Sequence, residues 1–93
     1  MTPEEELLER YFDAFNRRDI GGVMDCFHHA QAILDVEGRR LEGRDEVMRR
    51  YENSFASMPD CTCTLQTLIG HSGYGVAESL FQRTRPRYGT IVL

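Results

Sequence analysis

Among the side chains of this 93-residue chain that can move a proton, Tyr11, Asp35 and Tyr51 stand out by their place in the sequence pattern. Tyr11 belongs to an apolar series, Leu7, Leu8, Tyr11, Phe12 and Phe15, which recurs at helical spacing as one broad stripe. A phenol on such a face must give its hydroxyl a buried partner or aim it into a cavity. Asp35 lies between Leu34 and Val36 in a strand-like run, so it faces the side opposite to those two. A carboxylate at the end of a strand beside a cavity is partly desolvated, which tends to raise its pKa. Together the two groups supply both halves of proton abstraction next to a carbonyl. Asp35 would take the carbon-bound proton and Tyr11 would hydrogen-bond the enolate oxygen. Each residue also has a plain structural alternative. Tyr11 and Tyr51 fit as core residues with satisfied hydroxyls, and Asp35 fits as a solvated residue on a half-exposed strand.

The elements that must position these groups follow from local signals. Thr2-Pro3-Glu4-Glu5 is a helix start: Thr2 caps, Pro3 suits the first helical position and Glu5 completes a capping box. Arg17 and Arg18 suit its last turn. Asp19 caps a second, shorter helix that carries Val23, Met24 and Phe27 inward, with Gly21 and Gly22 weakening its first turn. Residues 32–37 read as a strand, Gly38 as a turn, and residues 40–42 as a short arm pairing back. Gly43 breaks this arm. A third helix runs from about residue 45 to about residue 57, with Val47, Met48, Tyr51 and Phe55 as its stripe, and Pro59-Asp60 stops it.

From Cys61 the period becomes two, placing Cys61, Cys63, Leu65, Thr67 and Ile69 on one face. Gly70-His71-Ser72-Gly73 signals a turn and residues 74–83 a return strand. Arg85-Pro86-Arg87 interrupts it, and residues 88–93 begin another strand. The ending Thr90-Ile91-Val92-Leu93 reads as a chain cut within a sheet, the alternative being a genuine short edge strand. Helices first and strands second make the expected class α+β: three N-terminal helices packed on a curved, mostly antiparallel sheet, in one domain over residues 1–93.

Bulk composition narrows the function classes. Apolar residues at 41% and charged residues at 28% exclude a disordered chain. A net charge of −4 with no basic stripe excludes nucleic acid as a partner. No apolar run approaches the roughly 20 residues that cross a bilayer, so no membrane partner is expected. The acidic start Glu4-Glu5-Glu6 is the opposite of a secretory leader, and a cytoplasmic location is expected. Cys26, Cys61 and Cys63, odd in number, read as free thiols. The three histidines lack metal-ligand spacing, and there is neither a phosphate-cradling loop nor a nucleophile elbow. Neither a metal nor a cofactor is therefore expected.

The run Arg10-Tyr11-Phe12-Asp13-Ala14-Phe15-Asn16-Arg17-Arg18-Asp19, followed by Phe27, closely resembles the opening of the ketosteroid isomerase and SnoaL-like superfamily. That superfamily has Tyr-x-x-Ala-x-Asn on its first helix and an Asp starting the next. The resemblance continues through Asp35, through Leu41-Glu42-Gly43-Arg44-Asp45-Glu46-Val47, and through Met58-Pro59-Asp60, and covers nearly the whole chain. It implies the cystatin-like cone fold shared with nuclear transport factor 2-like proteins. It places Tyr11 where ketosteroid isomerase has its oxyanion-hole tyrosine, Asp35 where it has its general base, and Tyr51 where a second pocket tyrosine supports the first. It further implies an apolar pocket, expected to be lined by Phe15, Phe27 and Phe55 with His29 near its mouth, and a homodimer formed through the sheet.

One departure from that pattern matters. The isomerases hold a second, protonated acid in the oxyanion hole on a strand near where this chain ends, and no residue here fills that role. The expectation is cofactor-independent proton transfer, isomerase- or cyclase-like, on a small hydrophobic carbonyl compound. The chain as it stands is expected to be a poor steroid isomerase. Its alternatives are a non-catalytic binder of a small hydrophobic molecule and a dimerisation module of the same fold.

Overall fold

Thr2 starts the first helix as its residue type dictates. In the computed structural model, which describes residues 1–82, its hydroxyl accepts from the Glu5 backbone N–H at 3.2 Å, and the Thr2 backbone N–H donates to the Glu5 carboxylate at 2.9 Å. This reciprocal capping box opens α1 (Pro3–Asn16). Asp19 caps α2 (Ile20–Asp25), its carboxylate accepting from the Gly22 N–H at 3.0 Å. Gly22 also sets the spacing of the two helices: a Cβ there would stand 3.0 Å from the Ala14 Cβ. The remaining elements are β1 (Ile33–Val36), β2 (Arg39–Glu42), α3 (Arg44–Ser57), β3 (Thr62–His71) and β4 (Tyr74–Gln82). The expected interruption at 85–87, the strand from 88 and the reading of the chain's last residues lie outside the described residues.

The class is α+β, and all strand pairing among the described residues is antiparallel. That pairing forms two hairpins, β1–β2 and β3–β4, where a single curved sheet was expected. α1 lies across β3 and β4, α3 packs on β1 and β2, and α2 touches both helices. The core sits between these layers, built from Ala14 and Phe15 of α1, Val23 and Met24 of α2, and Val47, Tyr51 and Phe55 of α3. Leu7, expected on the inner stripe, is exposed, so the buried face of α1 is narrower than the stripe. No helix among the described residues is long and apolar enough to cross a membrane.

Strand β3 corrects the simple alternation. Its register against β4 shifts between Leu65 and Thr67, leaving Gln66 as an extra residue. Such a bulge inverts the phase of every side chain beyond it. Cys63 and Leu65 therefore share the α1 side with Gly70, and Ile69 is turned outward, 56% exposed. The turn is also tighter than expected. Ser72 (φ 55°) and Gly73 (φ 86°) form it alone, matching the two-residue hairpin turns that suit strand twist, while Gly70 and His71 stay within β3.

Helix α1 is fastened to β3 at both ends. At its start the Thr2 hydroxyl donates to the Gly70 carbonyl at 2.7 Å, and the Gly70 N–H donates to Glu5 at 3.1 Å. At its end the Asn16 amide donates to the Cys63 carbonyl at 2.8 Å and accepts from the Cys63 N–H at 2.7 Å. The hydrogen bond from the Thr2 backbone holds the Glu5 carboxyl below its ordinary pKa; partial burial opposes this, and the Gly70 N–H adds to it. A carboxyl whose folded pKa is depressed stabilises the fold above its unfolded pKa, and that stability is lost as pH falls through the folded value. Below an ordinary glutamate pKa of 4.5, urea midpoints of the parent should fall with pH. Glu5→Gln should be less stable near neutrality and should show a flatter acid limb. Parallel acid limbs in parent and variant would remove this role.

Candidate functional site

Residues four apart on two helices build the centre of the site. α1 presents Tyr11 and Phe15, α3 presents Tyr51 and Phe55, and Phe27 follows α2. The Tyr11 and Tyr51 hydroxyls meet at 2.6 Å. Around them the rings pack mostly edge to face, with centroids 5.1 Å apart for Phe15 and Phe55 and 5.9 Å for Phe27 and Tyr51. Tyr51 and its hydroxyl partner differ in access: Tyr51 is buried and Tyr11 is half-buried. Burial pushes both phenols above their ordinary pKa, and for Tyr11 the neighbouring Tyr51 raises it further. Both are therefore neutral donors at physiological pH. Only one proton can lie between the two oxygens, so the pair keeps a second proton to donate elsewhere.

An open cleft of about 850 Å³ runs between α1 and β3. Phe12, Cys63 and Leu65 form its apolar part, with Glu6, Arg10 and Asp13 around it. Tyr11 does not line the cleft directly, but Phe12 does, with its ring centroid 5.0 Å from that of Tyr11.

The structure does not bring Asp35 to this cluster. In β1, Leu34 and Val36 turn toward the core and Asp35 turns to solvent, where its side chain is 62% exposed. Across the hairpin it stands in register with Arg40, which donates to it twice, at 2.9 Å and 3.1 Å. The expected raised pKa is thus reversed. The Arg40 hydrogen bonds hold the Asp35 carboxyl below its ordinary value, against a smaller opposing effect of burial. His29 is also exposed and lies elsewhere, in a separate cleft with Glu42, Arg44 and Asp45. Its neighbour His28 caps a turn, its Nδ1 accepting from the Ala30 and Gln31 N–H groups at 3.1 Å and 3.0 Å.

The sequence profile of the SnoaL-like domain matches residues 8–92. The chain belongs to the SnoaL-like domain family. Among solved structures it is similar to a protein from Sinorhizobium meliloti described as a "putative polyketide cyclase", with a TM-score of 0.75 and 15% identity over 88% of this chain and 73% of that one. At that identity the likeness concerns the fold. No curated protein matches the sequence significantly.

Two features of this SnoaL-like domain escaped the sequence reading. Cys26 and Cys63 are electrostatic neighbours of both tyrosines, and burial raises each thiol's pKa, so both are neutral and add no charge to the site. Asn16 belongs to the quoted helix motif, and its role is the two-bond clip to the Cys63 backbone. Only pairing between residues far apart in the sequence reveals either. Among the described residues no group of His, Cys, Asp and Glu side chains converges as a metal site would.

Proposed function

We propose that this SnoaL-like domain binds a small hydrophobic carbonyl compound in the cleft between α1 and β3. The carbonyl oxygen is directed at the Tyr11–Tyr51 pair. The observation that carries this reading is the 2.6 Å hydroxyl contact inside an aromatic cluster, beside a cleft whose wall includes Phe12. In this reading Tyr51 donates to Tyr11, and Tyr11, which does not itself line the cleft, donates to a ligand that reaches it by turning the Phe12 ring aside. Binding is placed ahead of catalysis because the candidate base, Asp35, is ion-paired to Arg40 at the surface, and a carboxylate with a lowered pKa is a weak base toward a carbon acid.

The test uses 2-acetylnaphthalene, a fluorescent aromatic ketone, and a β,γ-unsaturated ketone. Tyr11→Phe should weaken binding of the first about 3- to 10-fold, the worth of one neutral hydrogen bond. Asp35→Asn should leave that binding unchanged. Affinity that is indifferent to Tyr11→Phe would end the reading. The tyrosine pair also favours a second reading, isomerase- or cyclase-like proton transfer. Double-bond migration in the unsaturated ketone that disappears in Asp35→Asn would establish it, and with it Asp35 as the base.

We also propose that the domain forms a homodimer through the outer face of the β3–β4 hairpin. Ile69 and Val76 are cross-strand partners there, 56% and 63% exposed, flanked by Tyr74 and Leu80. Among the described residues β3 and β4 pair only with each other, and strands with an apolar face are prone to pair with a second copy. Light scattering at tens of micromolar protein should give twice the chain mass, falling to the chain mass in Val76→Lys. A monomeric parent would count against the dimer.

A further inference from the structure

We propose that the cleft between the β1–β2 hairpin and α3 binds a small carboxylic acid with an apolar body. The cleft is open to solvent and offers about 500 Å³, within the range of small-molecule sites. It lies apart from the tyrosine pair and does not depend on the carbonyl-binding reading. Val36, Leu41 and Met58 give it an apolar surface, and Arg39, Arg49 and Arg50 bring three guanidinium groups from two elements.

The three cations are not equivalent. Arg50 is half-buried and donates to Glu37 at 3.0 Å. This bond ties the tip of the hairpin to the middle of α3 and so fixes the width of the cleft. Arg39 and Arg49 have no carboxylate partner among the described residues. Against these two free cations the cleft holds one further acid, Glu46. A local excess of one positive charge is unusual on a chain of net charge −4.

That balance selects the ligand. A guanidinium fork matches a carboxylate with two parallel hydrogen bonds, and such charge-assisted bonds are roughly twice as strong as neutral ones. One uncompensated cation suits a monoanion, and Glu46 disfavours a doubly charged phosphate. The Val36, Leu41 and Met58 side chains suit an alkyl or aryl body and give inorganic anions nothing. Asn53 and Ser54 add polar atoms at the α3 side.

The experiment is a titration of isotope-labelled protein with sodium octanoate, followed by backbone amide NMR. Saturable shifts are expected at Gly38 and Arg39 and along α3 from Arg49 to Ser57, with residues around Phe12 and Cys63 unmoved. The double variant Arg39→Gln/Arg49→Gln should weaken binding about tenfold or more. Both arginines are exposed, so the variant should keep its fold, which circular dichroism checks. Octanol, the same chain without charge, should bind correspondingly weakly. Arg17→Gln, which removes a cation from α1, should leave octanoate binding unchanged. Four results would overturn the proposal: equal affinity in the double variant, shifts centred on the α1–β3 cleft, phosphate binding as tightly as octanoate, or Arg17→Gln weakening binding as much as the double variant.

Discussion

Phe55→Ala should cost about 3–5 kcal/mol of folding stability, as expected for truncating a buried aromatic ring. Phe55 is 9% exposed and packs against Phe15 at 5.1 Å and Tyr51 at 6.2 Å between ring centroids. A domain of this size holds only about 5–15 kcal/mol in total, so the loss is a large share of what there is. The surrounding rings are held from separate helices and cannot collapse far into the space. Urea unfolding should show a lowered midpoint with an unchanged slope. Phe81→Ala, at a position 46% exposed, is the control and should cost far less. Equal losses at the two positions would mean that the aromatic cluster is not the centre of stability. Because Tyr51 rests on Phe55, the variant should also loosen the Tyr11–Tyr51 contact and weaken ketone binding while the protein is still folded.

Gly70→Ala should destabilise the domain by about 1–3 kcal/mol, the usual cost of forcing an extra carbon into a packed contact. An alanine in a strand normally gains about 0.4–1 kcal/mol over glycine by limiting the unfolded chain. Here the gain is outweighed. The added Cβ would lie 2.8 Å from the Glu4 Cβ and 3.2 Å from the Glu5 backbone nitrogen. A backbone atom in a capped helix has nowhere to go, so α1 must lift. Lifting it breaks the Thr2 and Glu5 bonds to Gly70. At Gly75 the nearest atom is the Leu8 Cδ1 at 2.8 Å, the end of a side chain that can rotate, so Gly75→Ala should be milder. Thermal melts of both variants decide the matter, and a Gly70→Ala protein as stable as the parent would refute the close approach.

What was readable from the sequence was local. Thr2, Pro3 and Glu5 cap α1, and Asp19 caps α2, because capping depends on residues within one turn. Helical stripes put Tyr11 and Phe15 on one apolar face and Tyr51 and Phe55 on another, and the family resemblance implied that Tyr51 supports Tyr11. Asp35 was harder. Strand alternation placed it opposite Leu34 and Val36, but which side is covered depends on where α3 packs, and the pairing with Arg40 depends on a two-residue turn at Glu37 and Gly38. The bulge at Gln66 left no mark in the composition, because an extra residue in one strand is visible only against its partner. The arginine cleft joins residues from a hairpin and a helix whose approach no local pattern encodes.

The two fastenings of α1 have a consequence for how this domain tolerates change in length. From Thr2 to Asn16 the helix advances about 21 Å at 1.5 Å per residue. From Cys63 to Gly70 the strand advances about 23 Å at 3.3 Å per residue. Helix and strand are two rulers of nearly equal length, laid antiparallel and pinned at both marks. One residue inserted between the pins of α1 would swing the far pin by about 100° around the axis. One inserted in β3 would turn it to the opposite face. Insertions and deletions in these two segments should therefore be selected against. Substitutions between the pins leave the registration intact. Phe12 and Leu65 can change size, and so reshape the proposed ligand cleft, while the Tyr11 hydroxyl stays where it is.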